Sequence, residues 1–306
     1  MRFEYHSGFQ CWTLRRFVDV QSALKDPQRF AVSLLSDFDE SGQTRTLRLA
    51  MDAFLQTHFN RWVAQLQQIA LQPTPEELVS QCIEPWCHAA ALQLVTVAVD
   101  RGHRLRDLAR KAFEAGAFLN ALPAAAESQE LDAQLPSVLG PLTVQAFIAT
   151  SQSLAAFLAN AAAALFDRNI FYPHTPRALE ELLRFAGPSQ AQFRYLTEAV
   201  GDLPKGTRIA LLLAEANRDP DQFPDPERLN FTRSDGGHLA FGYGPHACAG
   251  AALIRAAAPV FLKHLTELRS TSELESIEWP RQARAIRSPT AIRIRELASG
   301  KMRYQH

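Results

Sequence analysis

The residues best equipped for chemistry are the ten from Phe241 to Gly250, FGYGPHACAG. Cys248 stands there after a glycine-rich turn and at the mouth of an alanine-rich, helix-like segment. A thiol in that setting can act as a thiolate, because backbone N–H groups, a helix amino terminus and a bound metal all favour its charged form. Gly242, Gly244 and Gly250 lack a Cβ, so they can take positive φ or let a flat cofactor come close. The chemistry that follows is that of a metal-bound thiolate. Glycines and cysteine alone leave a second reading open, a tight turn with an incidental buried cysteine.

The full spacing, F-G-x-G-x-H-x-C-x-G, resembles the haem-binding loop of the cytochrome P450 family at every fixed position. Resemblance to its soluble bacterial members continues from Ala178 to about Leu265. It implies haem b (iron protoporphyrin IX) with Cys248 as the iron ligand and Phe241, Gly242, Gly244, His246 and Gly250 as its cradle. His246 and Arg194 stand where the family contacts haem propionates, and a guanidinium suits a carboxylate bidentately. His238 fits the same region, within His238-Leu-Ala-Phe241. Glu181-Leu-Leu-Arg184 matches the family's E-x-x-R helix, where residues three apart share a face. Arg228, in Phe223-Pro-Asp-Pro-Glu-Arg228, is expected to complete a buried Glu-Arg-Arg network. Asn217-Arg-Asp-Pro220 is a further match with no chemistry attached.

The first half is less similar. Residues 18–30 look like the family's first helix and following turn, with fewer residues ahead of them than usual, which implies an N-terminally shortened member. Gln43-Thr-Arg-Thr-Leu-Arg48 fills the place of an H-x-x-x-R propionate-binding helix, with Gln43 for the histidine and Leu47 for the arginine. Arg48 is the replacement cation expected there. Ala149-Thr-Ser-Gln152-Ser153 stands in place of the oxygen-activating A-G-x-[DE]-T. Gln152 is isosteric with glutamate but cannot pass on a net proton, while Ser153 keeps a hydroxyl for dioxygen. Both are expected catalytic residues; a plain buried helix with serines bonded to backbone carbonyls is the alternative. Phe147, Ile148 and residues 191–193 are expected to face a ligand.

The elements that must position these residues follow from periodicity and punctuation. A short strand precedes a helix over residues 18–25, ended by Pro27. Apolar residues recur at helical spacing over 44–70, Pro73 and Pro75 break the pattern, and Thr74 reads as the next cap. Helices are expected over 104–122, 144–166, 177–185 and 249–265, a loop over 123–141, and β-like runs at 193–196 and 208–213. Without βαβ alternation, this order predicts a mainly α fold with small β-sheets. The resemblance implies a single P450-like domain over residues 1–306.

Composition narrows the function classes. Basic and acidic residues balance, 32 against 32, which argues against nucleic acid or an anionic membrane as partner. The start shows no basic-then-apolar leader pattern, and the apolar runs at 89–99 and 154–166 fall short of the roughly 20 residues a bilayer needs. Cys11, Cys82, Cys87 and Cys248 form no disulfide framework, and Cys82, Cys87 and His88 amount to half a metal site. A cytoplasmic protein is expected.

The resemblance implies reductive dioxygen activation: a monooxygenase that hydroxylates or tailors a small organic molecule, in specialised metabolism. Nothing in the chain resembles a flavin or nicotinamide domain, so an external ferredoxin-type electron donor is implied. Two alternatives stay open. One is a haem-thiolate enzyme using peroxide or substrate-assisted chemistry, motivated by Gln152. The other is a non-catalytic haem- or partner-binding relative, motivated by the altered first half. Substrate identity and oligomeric state are not legible in the sequence.

Overall fold

The computed structural model describes residues 1–32, 40–71, 75–95, 110, 146–233, 237–281 and 285–297, with no side chains placed at 40–48, 50 and 51. The expected cap at Thr74 and loop over 123–141 lie outside the described residues, as does the helix over 104–122 apart from Arg110.

Strands β1 (Glu4–His6) and β2 (Cys11–Leu14) form a hairpin that leads into helix α1 (Phe17–Lys25). Helix α1 buries Phe17, Val20, Ala23 and Leu24, and its first N–H, on Phe17, is accepted by Asp219 Oδ2 at 2.7 Å. Strand β3 (Phe30–Ala31) precedes the long helix α2 (Glu40–Leu66). A π-turn, Val79–Ile83, opens α3 (Glu84–Val95), and a second, Ala149–Ser153, opens α4 (Leu154–Asp167). Helix α5 (Pro176–Ala186) starts at Thr175, whose hydroxyl oxygen accepts the Ala178 N–H at 3.2 Å, with proline in the first turn.

Strands β4 (Gln192–Leu196) and β5 (Arg208–Leu211), the short helix α6 (Leu213–Ala216), helix α7 (Ala251–Thr271) and strands β6 (Ser272–Glu278) and β7 (Ala291–Glu296) complete the order. One sheet runs β1-β2-β5-β4-β3, with only β2 and β5 parallel. The other is the β6–β7 hairpin. The sequence reading missed that hairpin. A register shift between Leu274 and Ser276 breaks the period of two that would have announced the strand. Helix α7 also runs to Thr271, six residues past its expected end.

The expected mainly α fold with small sheets is what the chain adopts. Its largest core surrounds α4, whose alanines 161–163 let α3, α5 and α7 pack closely. With its π-turn this helix is longer than its apolar run suggested. Ala146–Asp167 is, among the described residues, the one helix long and apolar enough to cross a membrane, and here most of it is buried in the protein. Glu77 ties the start of the α3 segment to the terminal hairpin. Its carboxylate accepts the N–H groups of Val79 at 2.8 Å, Ser80 at 2.6 Å and Ile292 at 2.9 Å. Burial pushes its pKa up, but bonds from the Ser80 hydroxyl and the Ile292, Ser80 and Val79 amides outweigh that and hold it below the usual range.

Candidate functional site

The cysteine loop is built from backbone conformations that its glycines permit. Gly242 and Gly244 take φ of +67° and +72°, values that other residues rarely adopt. At Gly244 space matters as much, since a Cβ would lie 2.6 Å from the Leu24 carbonyl oxygen at the end of α1. Gly250 is different: its φ is −83°, and a Cβ there would make ordinary 3.8 Å contacts with Cys248 Sγ and Ala149 Cβ. The Cys248 N–H donates to the Phe241 carbonyl at 2.8 Å, which closes the loop. Its thiol is exposed, three positions before the first residue of α7. His246 lies half-buried in a 3-10 turn, Gly244–His246.

Behind the loop, Glu181 and Arg184 pair bidentately at 2.7 and 2.8 Å, both buried. The second arginine of this network is Arg233, not Arg228. Arg233 Nε lies 3.2 Å from Glu181 Oε2, and its other nitrogens donate to the Pro224, Asp225 and Arg228 carbonyls. The Arg228 side chain is exposed, and only its carbonyl takes part, because the turn after Phe223 directs that side chain to solvent. Asn217, left without chemistry by the sequence, anchors the same region: its carbonyl accepts Arg184 Nη1 at 2.8 Å, and its Oδ1 accepts the Leu239 N–H at 2.7 Å.

Strand alternation divides residues 191–194 between two faces. Arg194, buried, donates to Gln192 Oε1 at 3.1 Å, and the Gln192 amide lies 3.3 Å from where a Gly242 Cβ would be. Arg194 is thus one side chain away from the loop. Ala191 and Phe193 point the other way, into a cluster with Cys11, Ala210 and Leu212, and Arg208 stacks on Phe193 at 4.0 Å. Their expected place facing a ligand is therefore corrected to the core beneath the sheet. Phe147 and Ile148 are likewise buried, Phe147 edge-on to His88 at 5.6 Å. His238 does not sit alone either; Glu180 holds it at 3.0 Å and also binds Arg255 through two bonds of 2.7 and 2.8 Å.

The π-turn Ala149–Ser153 faces the loop through Ala149, and Gln152 and Ser153 share its half-exposed side. Thr150 and Ser151 are buried on the opposite side, 1% and 3% exposed. Neither hydroxyl has a hydrogen-bond partner among the described residues. In a plain helix such hydroxyls bond to carbonyls one turn back. The wider π-turn accounts for the difference, and such turns occur often at functional sites. Arg48 lies on α2, and its side chain falls outside the described ones. Cys82 and Cys87 are buried, and no metal-binding group of three appears among the described residues.

Taken together, an exposed thiol on a loop cleared of side chains, a buried guanidinium beside it and a polar helix face opposite fit a planar, thiolate-ligated cofactor carrying carboxylates. Residues 172–268 match the family model for Cytochrome P450. The chain is 40% identical over 113 residues to Cytochrome P450 107B1 of Saccharopolyspora erythraea, a match covering 34% of this chain and 28% of that protein. It is 39% identical over 94 residues to 6-deoxyerythronolide B hydroxylase of the same organism, covering 29% and 23%. The chain thus spans about a quarter of the length of these curated relatives. P450 StaH, from glycopeptide antibiotic A47934 biosynthesis, superposes with a TM-score of 0.76 at 20% identity, covering 96% of this chain and 94% of that one.

Proposed function

From cytochrome P450 sequence at residues 172–268 on a cytochrome P450 fold, we propose that this chain binds haem b through Cys248 and works as a monooxygenase on a small organic molecule. The observation that carries the proposal is the exposed Cys248 thiol on a loop whose glycines 242 and 244 take positive φ. Haem b, when bound to a thiolate, supplies reductive activation of dioxygen beside the substrate. The chain's residues then divide the remaining work. Cys248 would ligate, with its amide held by the Phe241 carbonyl. Arg194 and His246 would take the propionates, with Arg48 as the third candidate. Ser153 would offer a hydroxyl from the π-turn, and Gln152 would orient a donor or a water without itself moving a net proton.

Relatives named 6-deoxyerythronolide B hydroxylase and P450 StaH from glycopeptide antibiotic A47934 biosynthesis support a tailoring step in specialised metabolism. The same reading has the chain work in the cytoplasm, with electrons from a ferredoxin-type donor. Gln152 on the half-exposed face favours a second reading, peroxide-driven or substrate-assisted turnover. Gln152→Glu separates the two: a sharp rise in coupled oxygenation without a rise in peroxide activity removes the second.

The first test is the carbon monoxide difference spectrum of the dithionite-reduced protein beside Cys248→Ala. A thiolate-type Soret shift, lost in the variant, is the expected result. Haem bound without that shift, or no haem bound at all, overturns the proposal.

A further inference from the structure

Helix α5 carries two adjacent glutamates with different fates. Glu181 turns inward to its arginines, whereas Glu180 turns toward the cysteine loop. Glu180 accepts Arg255 Nε at 2.7 Å and Nη2 at 2.8 Å, and His238 Nε2 lies 3.0 Å from its second oxygen. The Ala240 N–H donates to His238 Nδ1 at 3.2 Å, which leaves the ring proton on Nε2, donated to Glu180. Both partners then close on Phe241. The Arg255 guanidinium sits 4.8 Å over its ring, and the His238 ring lies 5.8 Å from it. Phe241 is the residue whose carbonyl holds the Cys248 amide.

We infer that Glu180 and Arg255 are positioning residues that set the reduction potential of the Cys248 site, with Arg255 the nearer charge and Glu180 its counterweight. The inference rests on the haem-thiolate reading above. One-electron reduction makes such a site more negative, so a nearby cation stabilises the reduced state and a nearby anion the oxidised one. Removing Arg255 lowers the midpoint potential; removing the Glu180 charge raises it. A purely structural clamp predicts something else, since breaking it from either side loosens the same loop and moves both variants the same way. The two side chains are 42% and 43% exposed, so salt screens their effect.

The experiment is a spectroelectrochemical titration of the haem-loaded protein, with Arg255→Gln, Glu180→Gln and Arg255→Lys, at low and high ionic strength. Reduced carbon monoxide spectra are recorded on each. The expected result is opposite shifts for the two glutamine variants, narrowing with salt, and a potential near the unaltered one in Arg255→Lys. That lysine keeps the charge but not the two-pronged bond, so its thermal midpoint falls while its potential holds. Shifts of the same sign, no shift, or loss of the thiolate-type spectrum in both glutamine variants overturn the inference and leave the haem reading intact. An unaltered protein without a thiolate-type spectrum overturns both.

Discussion

Arg228 and Arg233 stand five positions apart on one irregular segment, and only the second reaches Glu181. Removing one partner of a buried ion pair leaves the other charge stranded, at a cost of about 3–5 kcal/mol. Arg233→Ala is therefore expected to cost about 3 kcal/mol in denaturant unfolding, and Arg228→Ala less than about 0.5 kcal/mol. Glu181 and Arg184 were legible in the sequence because helical spacing puts them on one face. Arg233 was not, because a loop has no period from which to read its direction. Glu180 gives a pH signature at the same scale. Burial raises its pKa, but bonds from Arg255 and His238 outweigh that and bring it down to about 2, from an ordinary 4.5. A depressed carboxylate contributes stability above its unfolded value and loses it as pH falls toward the folded one. Thermal midpoints of the unaltered protein and Glu180→Gln are thus expected to converge between pH 5 and about 2, by an amount that exposure keeps small.

Among the elements, the cysteine loop and the π-turn opposite it make contrasting demands. Gly244→Ala meets both a left-handed backbone and the Leu24 carbonyl at 2.6 Å, so it is expected to cost about 2 kcal/mol or more and to weaken haem retention. Gly250→Ala has ordinary φ and ordinary contacts, and is expected to fold with little loss, as read by thermal melts of both variants. The sequence presented these glycines as equivalents; backbone conformation and the packing of α1 separate them. At the π-turn, Thr150→Val and Ser151→Ala remove buried hydroxyls that lack partners among the described residues. Unfolding in urea is expected to show no loss, or a gain of up to about 1 kcal/mol for each. A loss would reveal an ordered water held there. Neither π-turn was legible, since one extra residue in a helical turn leaves the hydrophobic period nearly unchanged.

For the whole molecule, the mainly α fold with small sheets was legible, and the terminal hairpin was not. Chemistry concentrates in residues 178–265, where motif spacing is strict, whereas β6 and β7 carry a charged, bulged pattern. The hairpin is held from a distance by Glu77, through the Ile292 amide. Glu77→Ala is expected to cost about 2 kcal/mol, and hydrogen exchange should quicken in β7 as well as around Ser80.

The Asp219 carboxylate that receives the first amide of α1 comes from a residue 202 positions later. In translation at about 5–20 residues per second, the leading helix waits on the order of ten to forty seconds for its cap to leave the ribosome. Its partner strands and the Gly244 contact emerge in the same late interval. The amino-terminal lobe is therefore a late-folding lobe. The cysteine loop, which rests on Leu24 through Gly244, is expected to take its final shape only once both ends of this long-range closure are present together.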